Sequence, residues 1–483
     1  MSRINTNISS IVAQNKLAKT NTDLATSLRR LSTGLRISRG ADDPAGLIVS
    51  ERLRSEINGI ERAISNVERA SSVIATTEAA LEEVNTLLVS MKGLIIEAAN
   101  TGGFSPEEVK ANQLQIDSAI DTISRIANTT SFAGIQLLNG SLDYITSGVV
   151  TSAVNDVRIF GANFGTETTM PVSIEVLASA QHAQLYLSGV GASPTLASSV
   201  TIEVRGVKGV EVIQLTSGQT FASIAEAVNR TKDVTGISAS IFNQSGLVFS
   251  SIEFGSDKFV SVQKLPGQSG GDSFVTLDEL GGSEVLRDTG EDVLALINGS
   301  LAIGDGTTVG LRSSALQIEV NLTDTQATRT GSTNFSINGG GAVYQVGAHV
   351  NTAHQLGFGI QSVAASRLGN ATTGFLSSVK TGGENAVISG KTREAADIID
   401  AAIEQVSTLR GRLGAFEKNT LQSTLRSQQI ALENLTASES KIRDTDFAKE
   451  TANLTRAQIL QSAGTSTLAI ANSTAQSVLQ LLQ

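Results

Sequence analysis

Three histidines, His182, His349 and His354, are the only imidazoles in the chain, and cysteine is absent. Two of them lie in HVNTAH (349–354). A helical zinc-hydrolase site needs HExxH, with two imidazoles one turn apart and a glutamate as base. HVNTAH has neither that spacing nor the glutamate, and it falls in a segment that reads as turn or strand. Ordinary polar positions are the better reading of all three. GDGTTVG (304–310) and NGGGAVYQVG (338–347) lack the Lys-Ser/Thr of a phosphate loop and read as turns between strands. No nucleophile has a base at a telling spacing. The expectation is no catalytic set, no metal and no cofactor, hence no enzyme.

The chemistry that remains is charge set between helices. In LRRLSTGLRISRGADDPAGLIVSERL (28–53), Leu28, Leu31 and Leu35 follow a helical period, as does the run from Leu47 on. Between them stand Arg36, Arg39, Gly40, Asp42, Asp43 and Pro44. At the other end SESKIRDTD (438–446), with Arg443 and Asp444, interrupts a second helical pattern.

The elements that must carry these charges are long. Ile4, Ile8, Ile11, Asn15, Ala18, Asn21, Leu24, Leu28, Leu31 and Leu35 draw one narrow stripe at spacings of three and four. From Leu53 through Ile57, Ile60, Ile64, Val67, Ser71, Ile74, Glu78, Leu81, Leu88, Met91, Ile95 and Ala98 a heptad seam holds. At about 45 residues and ~1.5 Å per residue it makes a rod of roughly 70 Å. SPEEVK starts a third helix, with Ser105 as cap, Pro106 in the first turn and Glu108 completing a capping box; Val109, Ile116, Ile120 and Ile123 are its buried face.

Toward the C-terminus, Ile399, Ala402, Val406, Leu409, Leu413 and Phe416 start a seam that continues toward Leu435. A last stripe follows: Leu460, Ala463, Thr467, Ile470, Ala475, Val478 and Leu482, with Gly464 its weak point. A stripe this narrow on helices this long needs partners of similar length. The economical pairing sets the two long helical stretches together, and 1–35 against 447–483. That leaves Ile11, Val12, Leu479, Leu481 and Leu482 uncovered, and exposed apolar surface on that scale marks an interface.

Between the helical ends, over about 141–390, Thr, Ser, Gly and Val rise and runs such as SVTIEVRG, GVEVIQLTSG, GISASIF and FVSVQKL alternate as strands do, around a short helix at 221–231. The expected fold class is mainly α with an inserted β-rich domain, the N- and C-terminal helices paired in coiled-coil-like bundles. With 483 residues, 40% of them hydrophobic, more than one domain is expected. A net charge of −10 gives no reason to expect binding to nucleic acid or anionic lipid, both of which reward a basic face. No run approaches the ~20 apolar residues of a membrane span, and MSRINTNISS does not read as a cleaved secretory signal.

The two ends resemble bacterial flagellin. The matching stretches are MSRINTNISS, LRRLSTGLRISRGADDPAGL, TTEAALEEVNTLL, SFAGIQLLNG, LRGRLGAFEKNTLQ, ALENLTASESKIRDTDFAKETANLTRAQILQSAGTSTLAIAN and SVLQLL. SVTIEV through FGSDKFVSV is similar to an insert motif of flagellins and filament-cap proteins. The resemblance implies a self-assembling subunit of the flagellar filament, or alternatively a hook–filament junction protein sharing its terminal helices.

Under it, 1–44 and 445–483 form an inner-tube domain, 45–150 and 335–444 a rod domain with β-hairpin elements, and 151–334 a variable outer β-rich domain. Ile4, Ile8, Ile11, Leu24, Leu28, Leu31, Leu35, Leu460, Ile470, Val478, Leu479 and Leu482 would be assembly residues. Arg36, Arg39, Asp42, Asp43, Arg443 and Asp444 would mark the crossings between the inner-tube and rod domains and pair within and between subunits. Gly40 and Gly46 would relieve the backbone there, with Asp43 capping the rod and Pro44 in its first turn.

The implied partners are further copies, an export chaperone, cap and hook-associated proteins, and the flagellar type III export apparatus. The implied location is extracellular, reached through the flagellar export channel. Ser90, Lys92 and Leu94 match the stretch that a vertebrate innate receptor reads in flagellins, but Ser90 replaces its arginine and Gly93 its glutamate.

Overall fold

The computed structural model describes residues 6–480 except Thr166, 189–194, Ala197, 243–245, 266–273, 280–281 and Ser314, and of 475–480 only the backbone. Among the described residues the longer helices are α1 (Ile8–Thr33), α2 (Pro44–Ala99), α3 (Pro106–Thr129), α4 (Phe221–Arg230), α5 (Thr392–Ala415), α6 (Gln422–Arg443) and α7 (Phe447–Gln480). No helix among them is long and apolar enough to cross a membrane. The fold is helical at both ends with a β-rich middle.

Local chemistry sets the helix ends. Asn7 caps α1 by accepting from the Ser10 N–H, and Gly34, at φ 74°, ends it in the left-handed conformation that favours glycine. Asp43 caps α2 by accepting from the Gly46 N–H at 2.9 Å, with Pro44 its first residue. The Ser105/Glu108 capping box of α3 is formed on both sides. Along α2 Ser50 is buried near the start, and from Ile60 on the buried positions are Ile60, Ala63, Val67, Ala70, Ile74, Thr77, Leu81, Val84, Leu88, Met91, Ile95 and Ala98, an unbroken three-four alternation. Small residues therefore take places where the expected stripe had Ile64, Ser71 and Glu78, all only half-buried.

Two further expectations change. SESKIR is helical, and the break at the C-terminal crossing shrinks to 444–446; Ser, Glu, Lys and Arg are adequate helix formers when no proline or glycine intervenes. The seam begun in α5 is buried at Ile398, Ile399, Ala402, Val406, Leu409 and Leu413 but does not continue. A π-helical segment, Phe416–Leu421, follows α5, and α6 buries none of its side chains. A π turn shifts the angular phase of a helix, which carries a stripe off its line.

The chain forms two compact units. One comprises residues up to Ser71, Gln345–His354, and Glu417 onward; the other comprises Ser72–Tyr344 and Gln355–Phe416. In the first, polar ties link residues 44–71, the segment from Glu417 through α6 and the 345–354 loop: Arg443 Nη1 lies 2.9 Å from Glu51, Ser71 bonds Glu417, and Gln428 donates to the Val346 carbonyl at 3.3 Å.

In the second unit α3 grips the loop before α5. Gln113, 1% exposed, donates to Asp117 and the Val379 carbonyl and accepts from the Val387 and Ile388 N–H groups. The β-rich part has two cores. One lies between a five-stranded antiparallel sheet (Ser300–Leu301, Leu294–Ile297, Met170–Ala178, Gly331–Gly340, Tyr144–Ser147) and a four-stranded one (Ile303–Asp305, Thr308–Arg312, Leu316–Leu322, Val154–Ala162). The other, built of two four-stranded sheets and α4, centres on Leu187, Ile202, Val204, Ile224, Val228 and Phe249. Backbone bonds between Gln181 and Glu291 at 2.9 and 3.0 Å join the two ends of that second module. Tyr144, Phe335 and Ile337 belong to the first core, so the expected borders at 150 and 335 cut through a sheet.

Candidate assembly interface

The terminal helices α1 and α7 pack antiparallel. Asn7 donates to the Ala471 carbonyl at 2.9 Å, Ser10 Oγ to Asn472 at 2.8 Å, and Gln461 to Asn21 at 3.0 Å; Arg30 lies 3.8 Å from Glu450. The residues that close this pair are small or polar, with leucines set between them. On α1 they are Ser10, Ala13, Leu17, Thr20, Leu24, Ser27 and Leu31, at heptad spacing; on α7 they are Glu450, Ala457, Gln461, Gly464, Leu468 and Ala471. Gly464 lets the backbones approach, since a Cβ there would sit 3.2 Å from Leu17 Cδ1.

The expected stripe along α1 thus divides. Leu24 and Leu31 lie half-buried in the seam, whereas Ile8, Ile11 and Leu28 face outward with Val12. On α7, Leu460 and Ile470 also face outward, with Ile459; Ile470 is 65% exposed. Hydropathy selected the larger apolar residues, but close helix contact selects small ones. Val478 and Leu479 continue α7 with side chains outside the description, and Ile4 and Leu482 lie outside the described residues.

At the crossings the two connections hold each other. Leu35 bridges Asp444, the Arg36 N–H donates to the Arg443 carbonyl at 2.7 Å, and the Thr445 N–H donates to the Gly34 carbonyl at 2.9 Å. The Arg36 guanidinium donates to the Ile442 carbonyl. Between them Ile37 is 1% exposed, an apolar plug that the charged context concealed. Asp42 accepts from the Ser38 and Arg39 N–H groups and from Ser38 Oγ, and it pairs with Arg29 at 3.0 Å. Burial pushes its carboxyl up, but those bonds and the Arg29 charge outweigh it and hold the group below the usual range.

The expected charged side chains therefore form no ion pair with one another among the described residues. Arg443 pairs with Glu51 and Glu439, Asp444 accepts from Ser440 Oγ at 2.6 Å, and the exposed Arg39 side chain has no partner among the described residues. Gly46 relieves no backbone: it is helical, and a Cβ there would lie 2.5 Å from Asp43 Oδ2 and 2.7 Å from Ile37 Cδ1. Gly40, too, lies outside the left-handed region. Gly34 is the residue whose conformation the crossing requires.

Elsewhere, Ser90 is exposed, Lys92 Nζ pairs with Asp400 at 2.6 Å, and Leu94 is half-buried. The His182 ring lies against Phe254, centroids 3.6 Å apart, and His354 Nδ1 is 3.2 Å from the His349 carbonyl. Among the described residues no group of three or more His, Asp or Glu side chains could hold a metal.

Comparison with known proteins adds to this geometry. The profile of the bacterial flagellin N-terminal helical region matches residues 4–143, that of the C-terminal helical region 396–482, and the flagellin hook IN motif 201–253. The chain is 30% identical to a flagellin of Salmonella muenchen and 29% identical to the B-type flagellin of Pseudomonas aeruginosa, in each case over 99% of both chains. Among solved structures, hook-associated protein-3 of Legionella pneumophila is 14% identical, with 81% of this chain and 98% of that one aligned at a TM-score of 0.31. With the helical regions of both termini recognised and curated flagellins aligned from end to end, the chain belongs to the bacterial flagellin family and is a structural subunit of the extracellular flagellar filament used for motility.

Proposed function

We propose that copies join through the outward faces of α1 and α7, with Ile8, Ile11, Leu28, Leu460 and Ile470 among the contact residues. The observation that carries this reading is the division of labour on the pair. Small and polar residues with a few leucines close α1 on α7 within one chain, while Ile8, Ile11, Leu28, Leu460 and Ile470 stay about half exposed or more. A solitary protein gains nothing from that arrangement, whereas a polymer recovers the burial at each added subunit. Leu24 and Leu31 support the pair from within and Leu35 the crossing, while Ile4, Val478, Leu479 and Leu482 are assigned to assembly on the family resemblance alone.

On this reading 1–44 with 445–483 forms the inner tube and the rest of the helical stretches the surrounding rod. The outer part takes in the whole five-stranded sheet and so extends beyond 151–334 to include 144–147 and 335–340. The crossing residues Arg36, Arg39, Asp42, Asp43, Arg443 and Asp444 set register, with Arg39 free to meet a neighbour. Export unfolded through the flagellar type III apparatus, a dedicated chaperone, and contact with cap and hook-associated proteins complete the proposal. The chain has no enzymatic role in it. The end-to-end match to flagellins does not favour the hook–filament junction alternative.

Seeded polymerisation of the purified chain, followed by electron microscopy, tests the reading. Long filaments that fail to form once 1–33 or 447–483 is removed are the expected result. Filaments of ordinary yield from either truncation would overturn it.

A further inference from the structure

We propose that Asn338–Gly339 is a site of spontaneous amide-to-acid conversion, at which the filament subunit ages. The chain has four Asn-Gly pairs, at 58–59, 139–140, 298–299 and 338–339. In such a pair the Gly backbone nitrogen loses its proton to hydroxide and attacks the Asn Cγ. The Cγ–Nδ2 bond breaks, ammonia leaves, and water opens the resulting succinimide to aspartate or isoaspartate. Glycine favours the step because it has no Cβ to obstruct the approach and its backbone turns freely.

The fold restrains three of the four pairs. Asn58 lies inside α2 and donates to the Arg54 carbonyl at 2.8 Å. Asn139 is held at both ends, its Oδ1 accepting from the Ser141 N–H at 2.9 Å and its amide bonding Gln136. Asn298 is likewise held at both ends: Oδ1 accepts from the Ser173 N–H at 2.8 Å and Nδ2 donates to the Pro171 carbonyl at 3.2 Å.

Asn338 differs in three ways. Its exposed side chain makes one bond among the described residues, from Nδ2 to Ser147 Oγ at 2.7 Å, which leaves Oδ1 and Cγ unheld. The strand shifts register between Ile337 and Gly340, so neither Asn338 nor Gly339 has a cross-strand partner on either side. Around Gly339, with φ 121°, nothing lies within 4 Å of a Cβ position, and the glycines at 340 and 341 follow. The backbone can therefore turn the Gly339 nitrogen onto Cγ without breaking a ladder. Each conversion adds one negative charge, and each isoaspartate adds one backbone carbon at a bulge that already absorbs a shift.

The test incubates the purified full chain, as monomer and as filament, at mildly alkaline pH beside a denatured sample. Peptides are then mapped by mass spectrometry with isoaspartate-specific methylation. In the denatured chain the four pairs convert at similar rates. In the native chain and the filament, position 338 is expected to lead the other three several-fold, and Asn338→Gln to remove that signal alone. Conversion led by position 58, 139 or 298, or an intact Asn338 in native samples after the denatured chain has reacted, would overturn the proposal.

Discussion

Replacing Leu460 and Ile470 together by Glu separates assembly from folding. In the free chain these side chains are 51% and 65% exposed, so roughly half or more of their burial is still to be gained on polymerisation. Full burial of such a side chain is worth about 1.5–3 kcal/mol, and recovering half to two thirds of it at two positions gives about 2–4 kcal/mol per subunit. At ~1.4 kcal/mol per tenfold, losing it raises the critical concentration on the order of a hundredfold, before any penalty for the buried carboxylates.

The free chain feels little, because both positions face solvent and glutamate is a good helix former, so the change in its stability stays within about 0.5 kcal/mol. The assay pairs thermal melting by circular dichroism with sedimentation of polymer at rising protein concentration. Gly464→Leu is the reciprocal control: its side chain would press on Leu17 and loosen α1 from α7 in the monomer. Normal polymer yield from the double Glu variant, or a melting temperature that falls with it, would refute the assignment of that face.

Asp143 gives a pH prediction. Burial pushes its carboxyl up to about 6, which the Tyr144 N–H and Arg367 oppose and Asp156 reinforces. Between the ordinary 3.8 and that value the folded chain holds more proton than the unfolded one, so stability falls as pH rises through the window and stays reduced above it. Asp143→Asn should therefore raise stability at neutral pH by about 1–3 kcal/mol and change little near pH 4, checked by melting curves across that range. Gln113→Leu strands the buried Val387 N–H and Val379 carbonyl, costs roughly 2–4 kcal/mol, and should open the loop before α5 to limited proteolysis. Gly46→Ala drives a methyl into Asp43 and Ile37 and should cost about 1–3 kcal/mol in melting. With Ser90 in place of arginine and Lys92 tied to Asp400, activation of the vertebrate innate receptor in reporter cells should be weaker than for a flagellin carrying the arginine; equal potency would count against it.

Much of this protein is readable without coordinates wherever the physics is local. Ser105 and Asp43 bond N–H groups three residues away, so helix starts announce themselves. Strand alternation in 200–205 and the three-four period of α2 follow from backbone geometry that hardly depends on context. Charge and the lack of a metal-ligand pattern narrowed the function classes, and the quoted stretches at both ends already resembled flagellin. The outcome of competition between distant surfaces is written nowhere in a single segment. On α1, the small residues Ser10, Ala13 and Ser27 took the seam from Ile8, Ile11 and Leu28, because close approach of two backbones depends on what the opposite helix presents, here Ala457 and Gly464. Ile37 looked like part of a charged linker until the two crossings closed over it, and Tyr144 and Phe335 joined one sheet although the chain between them runs through a second core. Tertiary structure alone decided these points, since burial and register belong to pairs of segments.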